Sequence, residues 1–140
     1  DNSGFVWTLS SGATVYTADY SEVLKSTPAY ITKLDAEGNI IAQFEIEASI
    51  GKPSQLELLN DELVVYSGGQ VIQLDQEAKL VSSLVTGVFA YGFNIGPNNK
   101  MWLCDAKDYA SNGQVHVYDA SGALVEDINV GLLPNGVYFK

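Results

Sequence analysis

Apolar and polar residues recur along this chain in short runs with a long period. Three segments read alike: Ile31-Thr32-Lys33-Leu34-Asp35, Val71-Ile72-Gln73-Leu74-Asp75 and Val115-His116-Val117-Tyr118-Asp119. Each leads through a short polar turn into a second apolar run, at 40–46, 80–85 and 124–130. Each is preceded by a nearly continuous apolar run, from Phe5 to Leu9, Leu63 to Tyr66 and Met101 to Cys104. Short runs bounded by turn residues predict strands, and continuous apolarity predicts strands packed on both faces. The last strand of each unit is mixed instead. Leu124, Ile128 and Val130 share one face while Val125, Asp127 and Asn129 share the other, as in an outermost, partly solvated strand. The anchoring aspartates lie 40 and then 44 residues apart, the period of blade-like arrays.

Short strands also precede the apolar runs of the second and third units, at 55–59 and 92–95. They close in the turns Asn60-Asp61 and Gly96-Pro97-Asn98-Asn99. A full unit therefore has four antiparallel strands, inner to outer, as a β-propeller blade has. The chain reads as all-β, with residues 1–140 forming a partial propeller of three units at about 5–46, 54–85 and 91–130. The first unit begins at its second strand. Residues 134–139 resemble an inner strand, a closing strand set to pair with the first unit or with a blade before it. Closed rings carry roughly four to eight blades, so three leave broad apolar faces in water. The expected partners are the remaining blades of the same propeller, making this a sector of a larger ring, or a second copy.

Charge narrows the function. Seventeen acidic residues stand against 7 basic ones, a net charge of −10, and no basic patch is visible. No nucleic acid is expected as a partner, and anionic membrane surfaces are disfavoured. The single cysteine, Cys104, excludes an intrachain disulfide and has no Cys or His partner for zinc. His116, the only histidine, falls at an ordinary third-strand position equivalent to Thr32 and Ile72. Asp35, Asp75 and Asp119 each open a hairpin, where a carboxylate accepts backbone N–H groups of the turn. No metal site, cofactor or catalytic residue is expected. Asp1 reads as the start of a mature or trimmed piece.

The loops joining second to third strands and those joining unit to unit fall at one end of the sheets. These loops, 10–29, 47–54, 67–70, 86–91, 105–114 and 131–136, are the longer and more aromatic set. Tyr16, Tyr20, Phe89, Tyr91 and Tyr109 lie there with Asp19 and Lys25. So does the cluster Asp105-Ala106-Lys107-Asp108-Tyr109, two carboxylates, an ammonium and a phenol at a strand end. Aromatic and polar side chains converging on one face make a ligand site. The candidates are Tyr16, Tyr20, Tyr91, Asp105, Lys107, Asp108 and Tyr109. The competing reading gives tyrosines the task of capping sheet edges and the 105–109 cluster that of a salt-bridged loop.

The third unit, from Asp105 to Tyr109 through Gly113 to Asp119 and Ser121-Gly122 to Gly131, resembles the blades of YncE-like, or surface-layer-like, propeller proteins. It is most similar to the Bacteroidetes branch of surface lipoproteins of the DUF5074 type, and the tail from Gly131 to Phe139 resembles how those chains end. The second unit departs from the pattern in its very short 67–70 loop and in Ala78, which replaces the expected glycine. The resemblance implies the last three blades of a seven-bladed ring. It places that ring at the extracellular face of the outer membrane or in the periplasm. It further implies a non-enzymatic binding module, with capture of a corrinoid such as vitamin B12 for a TonB-dependent outer-membrane transporter as its specific form. A protein scaffold, or the remnant of a propeller hydrolase or lyase, remains as an alternative.

Overall fold

The computed structural model describes residues 4–140, so Asp1 lies outside the described residues. The apolar runs become strands and the polar clusters become the turns between them. β1 (Val6–Ser10), β4 (Tyr30–Leu34) and β5 (Ile40–Glu45) form a first sheet in that order. Between them β2 (Thr14–Tyr16) and β3 (Val23–Ser26) pair as a separate hairpin. β6 (Gln55–Leu59), β7 (Glu62–Ser67), β8 (Gln70–Leu74) and β9 (Leu80–Thr86) form the second sheet in sequence order. β10 (Ala90–Gly96), β11 (Lys100–Asp105), β12 (Asn112–Tyr118) and β13 (Leu124–Leu132) form the third. Every pairing is antiparallel. The chain is all-β among the described residues, with one short 3-10 turn at Pro97–Asn99.

Stretch 10–29, which the sequence presents as a loop, differs by holding the β2–β3 hairpin. The physical reason is local: β-branched Thr14, Val15 and Val23 favour extended backbone, and the intervening polar residues supply a turn.

The three equivalent hairpin turns are built alike. Asp35 Oδ1 accepts the N–H groups of Glu37 and Asn39 at 3.0 and 2.7 Å. Asp75 does the same for Glu77 and Lys79, and Asp119 for Ser121 and Ala123. The fourth turn residue is left-handed in all three: Gly38 at φ 88°, Ala78 at φ 60° and Gly122 at φ 86°. Only Ala78 bears a side chain there, and its methyl is fully buried in the first core layer. That burial offsets a backbone cost on the order of 1 kcal/mol.

Sheets stack face to face, and the core follows that stacking. A first apolar layer joins Ile31 and Ile46 of the first unit to Leu63, Val65, Ile72 and Leu74 of the second sheet. A second layer joins Val64, Val71 and Val85 to Phe93, Met101 and Leu103 of the third. Adjacent residues of β7 therefore point into different layers, which explains why its sequence is apolar without alternation. Gly122 fixes the second seam. A Cβ there would stand 2.0 Å from the Leu84 carbonyl oxygen, so only glycine lets the turn close on β9.

The far face of the third sheet is covered differently. Cys104, Val115 and Val117 are buried there with Trp102, Ile128, Val130 and Val137 around them. Residues 134–139, expected as a closing strand, pair with none of the strands described. They run over the face of β10 instead. Cβ atoms added at Gly92 and Gly96 would meet the Asn135 carbonyl at 2.2 Å and the Phe139 ring at 2.6 Å. Between them Val137 N–H donates to Asn94 Oδ1 at 3.1 Å, a side-chain bond in place of a ladder bond.

Candidate ligand-binding face

Strand direction puts the tight turns at one end of every sheet and the longer connections at the other. At the long-connection end, Ser67 Oγ donates to the Ile50 carbonyl at 2.6 Å, and Lys52 Nζ reaches Thr14 Oγ1. The β2–β3 hairpin, the 47–54 connection and the Gly68-Gly69 turn are thereby tied together.

The candidate tyrosines fall into two pairs. Tyr16 and Tyr20 meet at a tilt of 42° with ring centroids 6.0 Å apart on the β2–β3 hairpin. Tyr16 lies in β2 rather than in a loop, and Tyr20 is left-handed at φ 59°. Asp19 holds this turn, accepting from Thr17 Oγ1 at 2.6 Å and from Ser21 N–H and Oγ at 3.2 and 2.8 Å. These hydrogen bonds stabilise the carboxylate and lower its pKa from the ordinary 3.8 to about 2.

Tyr91 and Tyr109 form the second pair, edge to face at 5.9 Å. Tyr91 also proves to be a strand residue. Ala90 pairs with Asp105 and Gly92 with Cys104, so Tyr91 is the extra residue of a bulge, which turns its side chain outward. Phe89 beside it lies over Gly69, whose added Cβ would stand 3.2 Å from the ring. Phe89, Tyr91 and Tyr109 are 76%, 59% and 62% exposed. Beneath them Tyr66 fixes the connection: its hydroxyl donates to the Val88 carbonyl at 2.8 Å and accepts from Ala90 N–H at 2.6 Å. Burial pushes the Tyr66 phenol above its usual range.

The 105–109 cluster is a folded loop. Asp105 Oδ1 accepts Lys107 N–H at 2.7 Å. Asp108 Oδ1 accepts Ala110 N–H at 3.0 Å and both the N–H and the hydroxyl of Ser111 at 2.7 Å. The Ser111 hydroxyl first, then these amides, lower the Asp108 pKa from 3.8 to about 2. Lys107 and Tyr109 are left-handed at φ 51° and 62°. Asp108 is thus occupied by its own loop, while Tyr109 is presented outward. The structure places Asp105, Lys107, Asp108, Tyr109 and Tyr91 in one neighbourhood and Tyr16 with Tyr20 in another.

Two features escape the sequence reading. His116 sits between two carboxylates, Nδ1 at 2.6 Å from Asp127 Oδ1 and Nε2 at 3.5 Å from Asp105 Oδ2. Counting strand register back from the Asp119–Gly122 turn would have found His116 opposite Asp127. Cys104 lies on the other face of the sheet, and burial raises its thiol pKa, so it offers no nucleophile to His116. Among the described residues no group of three or more metal-ligating side chains gathers. The second feature is a groove of about 410 Å³ running from the Gly68 turn along β8 and β9, with Ser49, Lys52, Ser67, Gln70 and Ser83 in its walls. Those polar residues carry no motif, and only the seating of the 47–54 connection against the second sheet makes them a groove.

No protein-family model matches this sequence, and none of the curated proteins does. Solved structures do match by backbone arrangement. A hydrazine synthase of Kuenenia stuttgartiensis matches with TM-score 0.52 at 16% identity, over 86% of this chain and 44% of that one. A Bacteroides caccae protein of unknown function matches with TM-score 0.56 at 13% identity, over 85% of this chain and 54% of that one. The likeness is one of fold, and the chain spans about half the length of each.

Proposed function

We propose that the three sheets are consecutive blades of a β-propeller whose long-connection end is a non-enzymatic ligand-binding surface. The 40- and 44-residue repeat supports the blades, as do the sequence-order pairing of the second and third sheets and their face-to-face stacking. On this reading the chain is a sector of a larger ring of the YncE-like, DUF5074-type surface lipoproteins. The remaining blades and a bacterial cell-surface location follow from that resemblance.

The observation that carries the ligand reading is the exposed trio Phe89, Tyr91 and Tyr109, held outward by a strand bulge, a left-handed loop residue and the buried Tyr66 hydroxyl. Apolar rings kept in water next to a polar groove suit a broad, flat ligand with amide or hydroxyl edges. A corrinoid has that chemistry: a wide macrocycle to lie on the rings and peripheral amides for Gln70 and Ser83. A non-enzymatic role is supported by His116, both of whose nitrogens face aspartates.

Calorimetric titration of the chain with cyanocobalamin tests this. Heat and an absorbance change are expected, and a Tyr91→Ala, Tyr109→Ala double variant should weaken binding by about tenfold or more. No heat and no spectral change with the parent chain would reject the corrinoid. The openness of the trio favours one further reading, a protein partner such as an outer-membrane transporter, since tyrosines anchor such interfaces. Co-purification that is lost in the same double variant would identify it.

A further inference from the structure

We infer that His116 and Asp105 form a site for a first-row divalent metal such as zinc, with Asp127 behind the histidine as its orienting carboxylate. Strand register brings the three together. His116 on β12 lies between Leu103 on β11 and Asp127 on β13. Asp105 is two residues beyond Leu103, so it shares that face and stands diagonally across from His116. Three adjacent strands thus each supply one side chain to the same spot.

The two contacts of the imidazole differ in kind. Nδ1 stands 2.6 Å from Asp127 Oδ1, a short charge-assisted hydrogen bond. An ionised carboxylate only accepts, so the imidazole hydrogen sits on Nδ1 and Nε2 is left with its lone pair. That lone pair faces a second carboxylate oxygen, Asp105 Oδ2, at 3.5 Å. Two such acceptors repel unless a positive charge lies between them. A proton there would draw the atoms to about 2.7–2.9 Å. A zinc ion bonded tetrahedrally to both, at about 2.0–2.1 Å, would hold them about 3.3–3.4 Å apart. The observed spacing is that of the shared metal, not that of the shared proton.

The surrounding contacts suit such a site. Asp105 Oδ1 accepts Lys107 N–H at 2.7 Å, which fixes the carboxylate and leaves Oδ2 for the metal. Asp127 sets the tautomer and tilt of the ring, as carboxylates behind zinc-bound histidines do. The side chains of His116 and Asp105 are 15% and 26% exposed, so water reaches them. No group of three metal-ligating side chains gathers among the described residues, so water fills the remaining positions and the site is weaker than a structural zinc centre. Imidazole with carboxylate suits zinc, whereas calcium and magnesium want shells of about six or more oxygens. A bound metal would tie the end of β11 to β12 and, through Asp105, brace the loop that presents Tyr109.

The inference is independent of the blade and ligand readings. Titration of the chain with zinc chloride, followed by proton NMR of its single imidazole, should shift the His116 ring resonances saturably, and the Lys107 amide with them. Calcium chloride at the same concentrations should move neither. Asp105→Asn keeps an oxygen for the Lys107 N–H but removes the anionic ligand. It should weaken zinc binding, read by calorimetry, about tenfold or more, and Asp127→Asn, which touches no metal, should weaken it by about 10–100-fold. His116→Gln should abolish it. Ring resonances that stay still throughout the titration would overturn the proposal. So would a zinc affinity left unchanged by either Asp105→Asn or His116→Gln.

Discussion

The second and third sheets have the same four-strand order and differ in what surrounds them. The second is covered on both faces by apolar layers, and its β7–β8 connection is the two-residue Gly68-Gly69 turn. The third has one face in the second layer and the other under the single segment 134–139, and its β11–β12 connection is a carboxylate-braced loop. The fully covered sheet carries its exposed polar chemistry only along its outer strands, in the groove beside β8 and β9. The half-covered one carries the bulge, the outward aromatic pair and the histidine between aspartates. Packing thus secures the fold in the second sheet, while local hydrogen bonds shape the candidate site in the third.

The largest effect should separate the two sheets by truncation. Leu74→Ala removes a fully buried side chain from the second sheet and should cost about 2–5 kcal/mol in denaturant unfolding. Val137→Ala removes a half-buried side chain from the tail over the third sheet and should cost about 1 kcal/mol. Equal losses would mean that the tail covers its sheet as firmly as a neighbouring sheet does, and the contrast would fail.

A smaller effect should map the seam between the two sheets. Gly122→Ala faces both a left-handed backbone and the Leu84 carbonyl, and a backbone carbonyl cannot swing aside. Gly38→Ala meets only the backbone cost, because nothing stands within 4 Å of the added Cβ. Thermal unfolding should show a loss of about 1 kcal/mol for Gly38→Ala and at least twice that for Gly122→Ala. The buried methyl of Ala78 shows that the turn tolerates a side chain when the neighbouring sheet leaves space for it.

Much of the fold was legible because the chain repeats. The three Leu/Tyr-Asp turns and the continuous apolar runs marked the strands of all three sheets, and turn chemistry explained Asp35, Asp75 and Asp119 without appeal to a metal. The candidate site was legible only in part. Tyr109 and the 105–109 cluster stood out by composition, but no pattern announced that Asp108 would be consumed by Ser111 and its neighbours. The bulge at Tyr91 depends on the register between β10 and β11, and the Ser49–Ser83 groove depends on how the 47–54 connection lies against the second sheet. Both are non-local, so a linear reading placed Tyr91 in a loop and passed over the groove. The hairpin within 10–29 was missed for the opposite reason, its strands being too short to show a period.

Acid should loosen the third sheet's loop and leave the second sheet's turn alone. Asp108 titrates at about 2 in the folded chain against an ordinary 3.8, so the folded state favours the carboxylate. Its contribution is complete above about pH 4 and is lost as pH falls toward about 2, the unfolded chain binding the proton first. The Gly68-Gly69 turn, left-handed at φ 55° and 84°, is joined to the Val88 N–H through the Gly69 carbonyl and should be indifferent over that range. Amide exchange at Ala110 and Ser111 should therefore accelerate on acidification while exchange at Gly69 follows only the intrinsic pH dependence. Asp108→Asn keeps a side-chain oxygen to accept the same N–H groups but removes the titration, so it should flatten the acid response of the loop at near-parent stability. If the loop of that variant still opened between pH 4 and 2, the brace would lie elsewhere, and Asp19, held at about 2 by the Thr17 and Ser21 hydroxyls, would be the next carboxylate to replace.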